Sequence, residues 1–411
     1  MRYTRIGLRG WAMLGLAALG LAAAPMARAE TVRVTVSYYS DATGPYFEKM
    51  AAAFHTANPS TDVKIDVVNW DALLQKLRTD ISGGVNSDIS IIGTRWLLDF
   101  VHDGLAEPLD NYMTPDFRNR FIGQFLQPSQ IGGKTYGLPI AASARAMFYN
   151  KAMLTKAGFP NGPSTWDEVV AAAEKIKADG GSGFGLQGKG LETDVYFYYA
   201  LWSYGGDVIG ADKKAAFDSP AGVKALTLYK SLVDRGLTQP GVTNYTRTDL
   251  QELFKQGRVG MIISLPFMIN QIAKEAPNLD YGIVPVPMGT TRSTYGVTDS
   301  IVMFSNSKVK QAAWKFLDYL FTKDPRVAFT KAEGFLPTTK EEAADPAFTN
   351  NERVKVFVDL LPSAHFAPTI TGWEDTAKAV TDAMQSVYLG QATPEAALKR
   401  AAERANQSLN Q

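Results

Sequence analysis

The sequence predicts an α/β fold in two regions, and three observations carry that expectation. Short apolar strands alternate with amphipathic helices early in the chain, an extended stretch near residue 140 breaks the alternation, and a second set of strands and helices follows it. In the stretch from Thr31 to Ser37, Val32, Val34 and Val36 alternate with polar residues, the period of a strand. A loop from Tyr38 to Gly44 leads to Pro45, which opens a helix with Tyr46, Phe47, Met50, Ala53 and Phe54 on one stripe. Residues 63–68 read as a second strand, and 71–81 as a helix turning Leu73, Leu74, Leu77 and Ile81 inward. Residues 88–92 read as a third strand, with another helix from about Arg95. This order predicts a largely parallel sheet.

Residues 136–150 carry few helix signals and read as a crossing between the two regions. The second region starts with the capping box Thr165-x-x-Glu168, whose side chains satisfy two orphan amides ahead of a helix through Lys177. Residues 259–264 read as a strand of that region, and 281–287 as the return crossing. Residues 311–321 form a helix pattern that buries Ala313, Phe316, Leu317, Leu320 and Phe321. Two helices finish the chain, one stopped by Gly390 and the next begun by Thr393 and Pro394.

With 411 residues, 45% hydrophobic and 20% charged, the chain is long enough for two packed domains. Lys and Arg number 42 against 41 for Asp and Glu, a net charge of +1, so there is no broad field for nucleic acid or an anionic membrane. The absence of cysteine removes disulfides, thiolate nucleophiles and Cys-ligated zinc, and the dispersed His55, His102 and His365 make no metal cluster. No cofactor and no metal are expected. Residues 1–29 read as a secretory signal peptide: Arg2, Arg5 and Arg9 precede an apolar run from Trp11 to Ala24, then Pro25 and Ala27-Arg28-Ala29. That run of 14 residues is shorter than the roughly 20 of a membrane-spanning helix. A mature chain from Glu30 is therefore expected to be exported, soluble and, without a cysteine to lipidate, free in the periplasm.

Gly183-Phe-Gly185-Leu-Gln-Gly188 matches G-x-G-x-x-G, but a dinucleotide site needs that motif between a strand and a helix. Here it follows a helical pattern and reads as a glycine-rich loop. No G-x-S-x-G elbow or H-E-x-x-H pair is present. Aromatic residues beside small polar ones stand out instead: Tyr38-Tyr39-Ser40-Asp41 after the first strand, Asn69-Trp70-Asp71 after the second, Thr94-Arg95-Trp96 after the third. In an open parallel sheet the carboxyl ends of strands line the ligand crevice, so these loops should converge. Aromatic faces suit the C–H face of a sugar ring while hydroxyls seek Asp, Arg, Ser and Thr. Trp70 and Trp202 are read as ligand contacts, Trp166 and Trp314 as core.

The order of features resembles the extracellular solute-binding proteins of carbohydrate ABC importers, a family that includes maltose-binding proteins. The matching pieces are Lys134-Thr-Tyr-Gly-Leu-Pro139, Met147-Phe-Tyr-Asn-Lys151, Leu201-Trp-Ser-Tyr-Gly-Gly-Asp207, Phe254-Lys-Gln-Gly-Arg-Val-Gly-Met261, Val284-Pro-Val-Pro287, Ala313-Trp-Lys-Phe316, Gly334-Phe-Leu-Pro337 and Gly390-Gln-Ala-Thr-Pro-Glu-Ala-Ala-Leu398. The resemblance implies a two-lobed periplasmic-binding-protein fold with hinge strands and a cleft between lobes. It implies a first lobe from residues 30–140 and 290–340, and a second from 141–289 and 341–411. The ligand positions it implies are Tyr39, Ser40, Asp41, Arg95, Ser143, Arg145, Trp202, Gly205, Gly206, Thr298, Asp299 and Trp373. Where relatives carry Gly-Pro-Trp, this chain has Leu265-Pro266-Phe267, which puts Phe267 in the stacking position.

The expected function is capture of a carbohydrate, neutral or acidic, by a non-enzymatic monomer that delivers it to the permease subunits of an ABC importer. Arg95 and Arg145 suit the acidic case, because guanidinium binds carboxylate in two-point fashion. The alternatives are a secreted glycoside hydrolase and a binding protein serving a chemoreceptor.

Overall fold

The computed structural model describes residues 29–409, so all but the last residue of the expected leader lies outside the described residues. The strand Glu30–Tyr38 buries Val32, Val34 and Val36 and pairs in parallel with Thr61–Asn69 on one side and Ile89–Gly93 on the other. The helix Thr43–Ala57 connects the first two, laying Tyr46, Phe47, Met50 and Phe54 against the sheet; Trp70–Ser82 leads to the third and buries Leu73 and Leu77. After the third strand a single 3-10 turn, Thr94–Trp96, precedes the short helix Leu97–His102. The strands Val297–Met303 and Leu138–Ser143 complete a five-stranded sheet in the order 61–69, 30–38, 89–93, 297–303, 138–143.

Only the first two pairings of that sheet are parallel, which corrects the expectation of a largely parallel layer. Val297–Met303 arrives from the other lobe instead of over a helix of its own lobe, so it runs against both neighbours. The second lobe has a four-stranded sheet in the order 281–285, 146–150, 259–264, 182–185, with one parallel pair. Its helix Trp166–Ala178 carries the expected capping box. The helices Trp373–Tyr388 and Pro394–Leu409 pack on each other and on Thr193–Ser203 and Pro220–Asp234. Trp166 is buried there with its indole N–H donated to Ser203 Oγ at 2.9 Å. Trp314, in the first lobe, packs on Phe117 and Tyr112.

Residues 182–185 are a strand, not the glycine-rich loop that the sequence suggests. A Cβ at Gly183 would stand 2.4 Å from Ala173 Cβ, and one at Gly185 would stand 2.6 Å from Ile262 Cγ2. The glycines let strand and helix approach closely. The motif opens no helix, since the next one starts at Thr193.

Among the described residues the chain passes between lobes three times. The first pass is Ala144-Arg145, between Leu138–Ser143 of one sheet and Ala146–Asn150 of the other. The second was expected at residues 281–287, but Tyr281–Pro285 is the edge strand of the second sheet. Pro285 is tolerated there because an edge strand needs no donor on its open side. The chain then bonds Met288 N to Ser164 O and Thr290 N to Ser203 O, pairs Thr294–Tyr295 with Ala364–His365, and crosses only at Gly296. The third pass lies between Lys340–Ala343, packed on the first lobe, and Glu352–Leu360, packed on the Tyr281–Pro285 strand. Among the described residues no helix is long and apolar enough to cross a membrane.

Candidate functional site

Because the first three strands run in parallel, their carboxyl ends bring the loops at 38–42, 69–71 and 94–96 to one edge of the first sheet. Opposite them stand Glu192, the helix Arg247–Lys255, and Leu265 to Phe267 with the helix Met268–Glu275 behind. Between the two sets lies a cavity of about 320 Å³. A smaller one of about 30 Å³ shares Trp70, Glu192, Val297 and Asp299 with it.

Local chemistry fixes each aromatic wall. Asn69 accepts from Asp71 N at 3.0 Å and caps the helix Trp70–Ser82, which pins Trp70 to its first turn. Trp70 stacks on Trp96 with centroids 5.0 Å apart, and Gly93 leaves room for both, since a Cβ there would meet each ring at 3.2 Å. The Tyr39 ring meets Phe335 edge-on at 4.8 Å, and its hydroxyl donates to Asp299 Oδ2 at 2.7 Å. Ser40 and Thr43 donate to the two oxygens of Glu333 at 2.8 and 2.6 Å.

Ion pairs form the floor. Arg145, on the first pass between lobes, donates to Ser143 Oγ at 2.7 Å and to both oxygens of Glu192 at 3.1 and 3.0 Å. Arg247 reaches Glu192 as well, at 2.6 Å. Glu192 sits at φ 63°, a left-handed conformation rare for a residue with a side chain, so its two arginines hold a strained backbone in place. Arg95 bonds Glu374 at 2.5 and 3.2 Å and lies 3.7 Å from Asp194.

Burial pushes the Asp299 carboxyl up to about 7; the Tyr39 hydrogen bond and the arginines pull it down, while Glu192 adds to the rise. Burial likewise raises Asp194 to about 6, against the pull of Arg95. For Glu192 burial works the same way, but Arg145, Arg247 and Arg95 outweigh it and hold the carboxyl below its ordinary range. Glu333 is raised by burial, only partly offset by Thr43 and Ser40.

Of the residues singled out in the sequence, Tyr39, Ser40, Asp41, Trp70, Ser143, Arg145, Phe267 and Asp299 line the larger cavity. Arg95 and Thr298 line the smaller one. Four border neither. Trp202 is buried, stacked on His365 at 4.5 Å and on Tyr295 at 6.0 Å. Trp373 is buried beneath the Arg95 guanidinium, 5.8 Å from it. Gly205 and Gly206 end the helix Thr193–Ser203: Gly205, at φ 82°, donates to Trp202 O and Gly206 to Leu201 O, the paired bonds of a Schellman stop. Sequence reasoning missed Glu192, Arg247, Lys274, Glu333 and Phe335, all of which line the larger cavity.

Residues 40–326 match the family model described as bacterial extracellular solute-binding protein. The chain belongs to this family. A Brucella abortus protein named as a binding protein, with no ligand in its name, is 58% identical over 382 residues, covering 92% of this chain and 93% of that one. The maltotriose-binding protein of Pyrococcus abyssi is 26% identical, covering 78% and 70% of the two chains. Among solved structures, an ABC transporter solute-binding protein from Thermotoga lettingae bound to α-D-tagatose is 26% identical, with a TM-score of 0.86 over 93% of this chain and 100% of that one.

In this solute-binding protein the lobes touch across the cleft mouth. Lys274 of the second lobe reaches Asp41 of the first at 2.9 Å, and Asn270 donates to Lys331 O at 2.8 Å. Arg95 and Glu374 add a third, more buried contact between the lobes.

Proposed function

We propose that this solute-binding protein captures a carbohydrate between its lobes in the periplasm, as a monomer, and delivers it unaltered to the permease of an ABC importer. The observation that carries the reading is the Trp70 ring, half-buried in both cavities and stacked on Trp96, with the acceptor Asp299 beside it. An aromatic platform next to a carboxylate matches a sugar's apolar ring face and its hydroxyl edge. The names of the Pyrococcus and Thermotoga proteins, for maltotriose and with tagatose bound, support the same ligand class. Both alternatives drawn from the sequence, hydrolase and chemoreceptor partner, gain nothing from these relatives, which are named for binding or as transporter components.

The test is a thermal-shift screen of mono- and oligosaccharides and polyols on the mature chain. A ligand at about 100 times its dissociation constant stabilises the native state by roughly 2.7 kcal/mol. A clear rise in melting temperature with at least one sugar, and its recovery intact after long incubation, is the expected result. A screen in which no carbohydrate shifts the transition, or in which the sugar is cleaved, sinks the proposal. Fractionation with N-terminal sequencing checks the rest: a periplasmic chain starting at Glu30 is expected.

A further inference from the structure

The charges around the cavity do not balance. Three arginines, buried Arg145 and the partly buried Arg95 and Arg247, face the carboxylates of Glu192, Asp194, Asp299, Glu333 and Glu374. Every one of those guanidinium groups is already bonded to protein: Arg145 and Arg247 share Glu192, and Arg95 takes Glu374 with Asp194 beside it. At the rim, Lys255 is held between Glu252 and Glu275, and Lys274 by Asp41. Each cation of the wall already has a carboxylate partner, which weighs against the acidic ligand that Arg95 and Arg145 suggest when read from the sequence; of their buried donors, Arg247 Nε alone is unpartnered among the described residues.

A carboxylate is left over instead. Asp299 is 6% exposed and borders both cavities. Its Oδ2 accepts from Tyr39, but its Oδ1 is buried and, among the described residues, has no hydrogen-bond partner and no ion pair. A buried carboxyl oxygen without a donor is costly, and a ligand that supplies a donor relieves that cost. Of the wall's other carboxylates, Glu333 is satisfied by two hydroxyls and Glu192 by two arginines. The remaining orphans on the wall, Trp70 Nε1 and Arg247 Nε, are donors suited to ring or hydroxyl oxygens.

Resting on the carbohydrate reading, we infer that the preferred ligand is a sugar bearing a protonated amine, an amino sugar or an aminocyclitol glycoside, with the ammonium group seated on Asp299 Oδ1 and the ring on Trp70. An ammonium group supplies three donors and the missing positive charge, whereas a neutral hydroxyl supplies one donor and no charge. A sugar acid would set a second carboxylate against Asp299 and would have to compete with Glu192 and Glu374 for guanidinium groups they already pair.

The experiment is calorimetric titration of the mature chain near neutral pH with D-galactose, D-galactosamine, N-acetyl-D-galactosamine and D-galacturonate, and with the corresponding gluco series. In at least one series the amine is expected to bind about tenfold or more tighter than its neutral parent and its N-acetyl form, with the acid weakest. Asp299→Asn should bring the amine down to the affinity of the neutral parent. Tyr39→Phe, which frees Oδ2 while keeping the ring, should preserve or widen the preference. A melting curve for each variant shows whether it is folded. Equal binding of amine and neutral parent, an acid that binds as well as either, or an amine preference that survives Asp299→Asn overturns the inference while leaving the carbohydrate reading standing. Failure of all eight sugars and of the wider screen overturns both.

Discussion

Arg95, from the first lobe, and Glu374, from the second, meet across the cleft through two hydrogen bonds of 2.5 and 3.2 Å, with Trp373 under the guanidinium. The arginine side chain is 9% exposed and the glutamate 20%, so the pair is mostly removed from water. Removing one partner of a fully buried pair costs about 3–5 kcal/mol; here the exposed glutamate edge and an open state that rehydrates it reduce the effect. Arg95→Ala is expected to enlarge the radius of gyration of the ligand-free protein in solution scattering. It should also weaken binding of the identified ligand by about tenfold. Unchanged scattering and affinity would show that the pair does not hold the lobes together.

Trp70 and Trp202 separate the two jobs an indole does in this molecule. Trp70→Ala is expected to weaken ligand binding at least thirtyfold, roughly the 2 kcal/mol of an aromatic anchor, with little change in melting temperature. Trp202 is buried between His365 and Tyr295, so Trp202→Ala should cost about 3–5 kcal/mol of stability and leave affinity largely intact in the folded fraction. Titration and thermal melts on both variants check this; the opposite pattern would return Trp202 to the site.

Stability of the ligand-free protein should fall as pH rises through the window between the ordinary carboxylate range and about 7. Asp299, raised to about 7, and Asp194, raised to about 6, hold protons in the native state that the unfolded chain has already lost, and that advantage disappears once pH passes their native values. His365 works the other way, because burial lowers its value and acidification must charge it. Being partly exposed, it is outweighed by two buried carboxylates. Asp299→Asn should therefore flatten the decline in melting temperature between about pH 5 and about pH 8 by about 2 °C or more. Parallel wild-type and variant curves would contradict the shifted carboxyl.

Gly206→Ala tests the helix stop. A Cβ at Gly206 would stand 2.4 Å from Leu201 Cδ1 and 2.9 Å from Ala221 Cβ. The expected result is a loss of roughly 1–3 kcal/mol with unchanged affinity. A ligand-binding defect without loss of stability would put this turn in the site.

Period and punctuation made most elements legible: the valine alternation of the first strand, the capping box at Thr165 and the stop at Gly390 each state a local backbone preference. The same logic brought Tyr39 and Trp70 to the cavity wall, because loops after parallel strands converge on one edge, whereas Asp299 was singled out only by the family resemblance. It failed where local character does not distinguish global placement. An extended apolar segment with prolines looks alike as a crossing or as an edge strand, which is why 281–287 was misplaced. A Gly-Gly pair after an aromatic helix looks alike as a ligand loop or a Schellman stop. Glu192, Arg247 and Glu333 were invisible for a different reason: a charged side chain shows in sequence only that it exists, and its burial depends on partners 47 to 293 residues away.

Three passes between the lobes is an odd number, so residue 30 and residue 409 belong to different lobes. The chain also contains no native thiol. Two cysteines placed by design, one at exposed Lys64 on the first sheet and one at exposed Arg400 on the last helix, would carry a dye pair with no background labelling. Energy transfer between them would read the opening and closing of the lobes in single molecules, making this protein a ready scaffold for an optical sensor of whatever it binds.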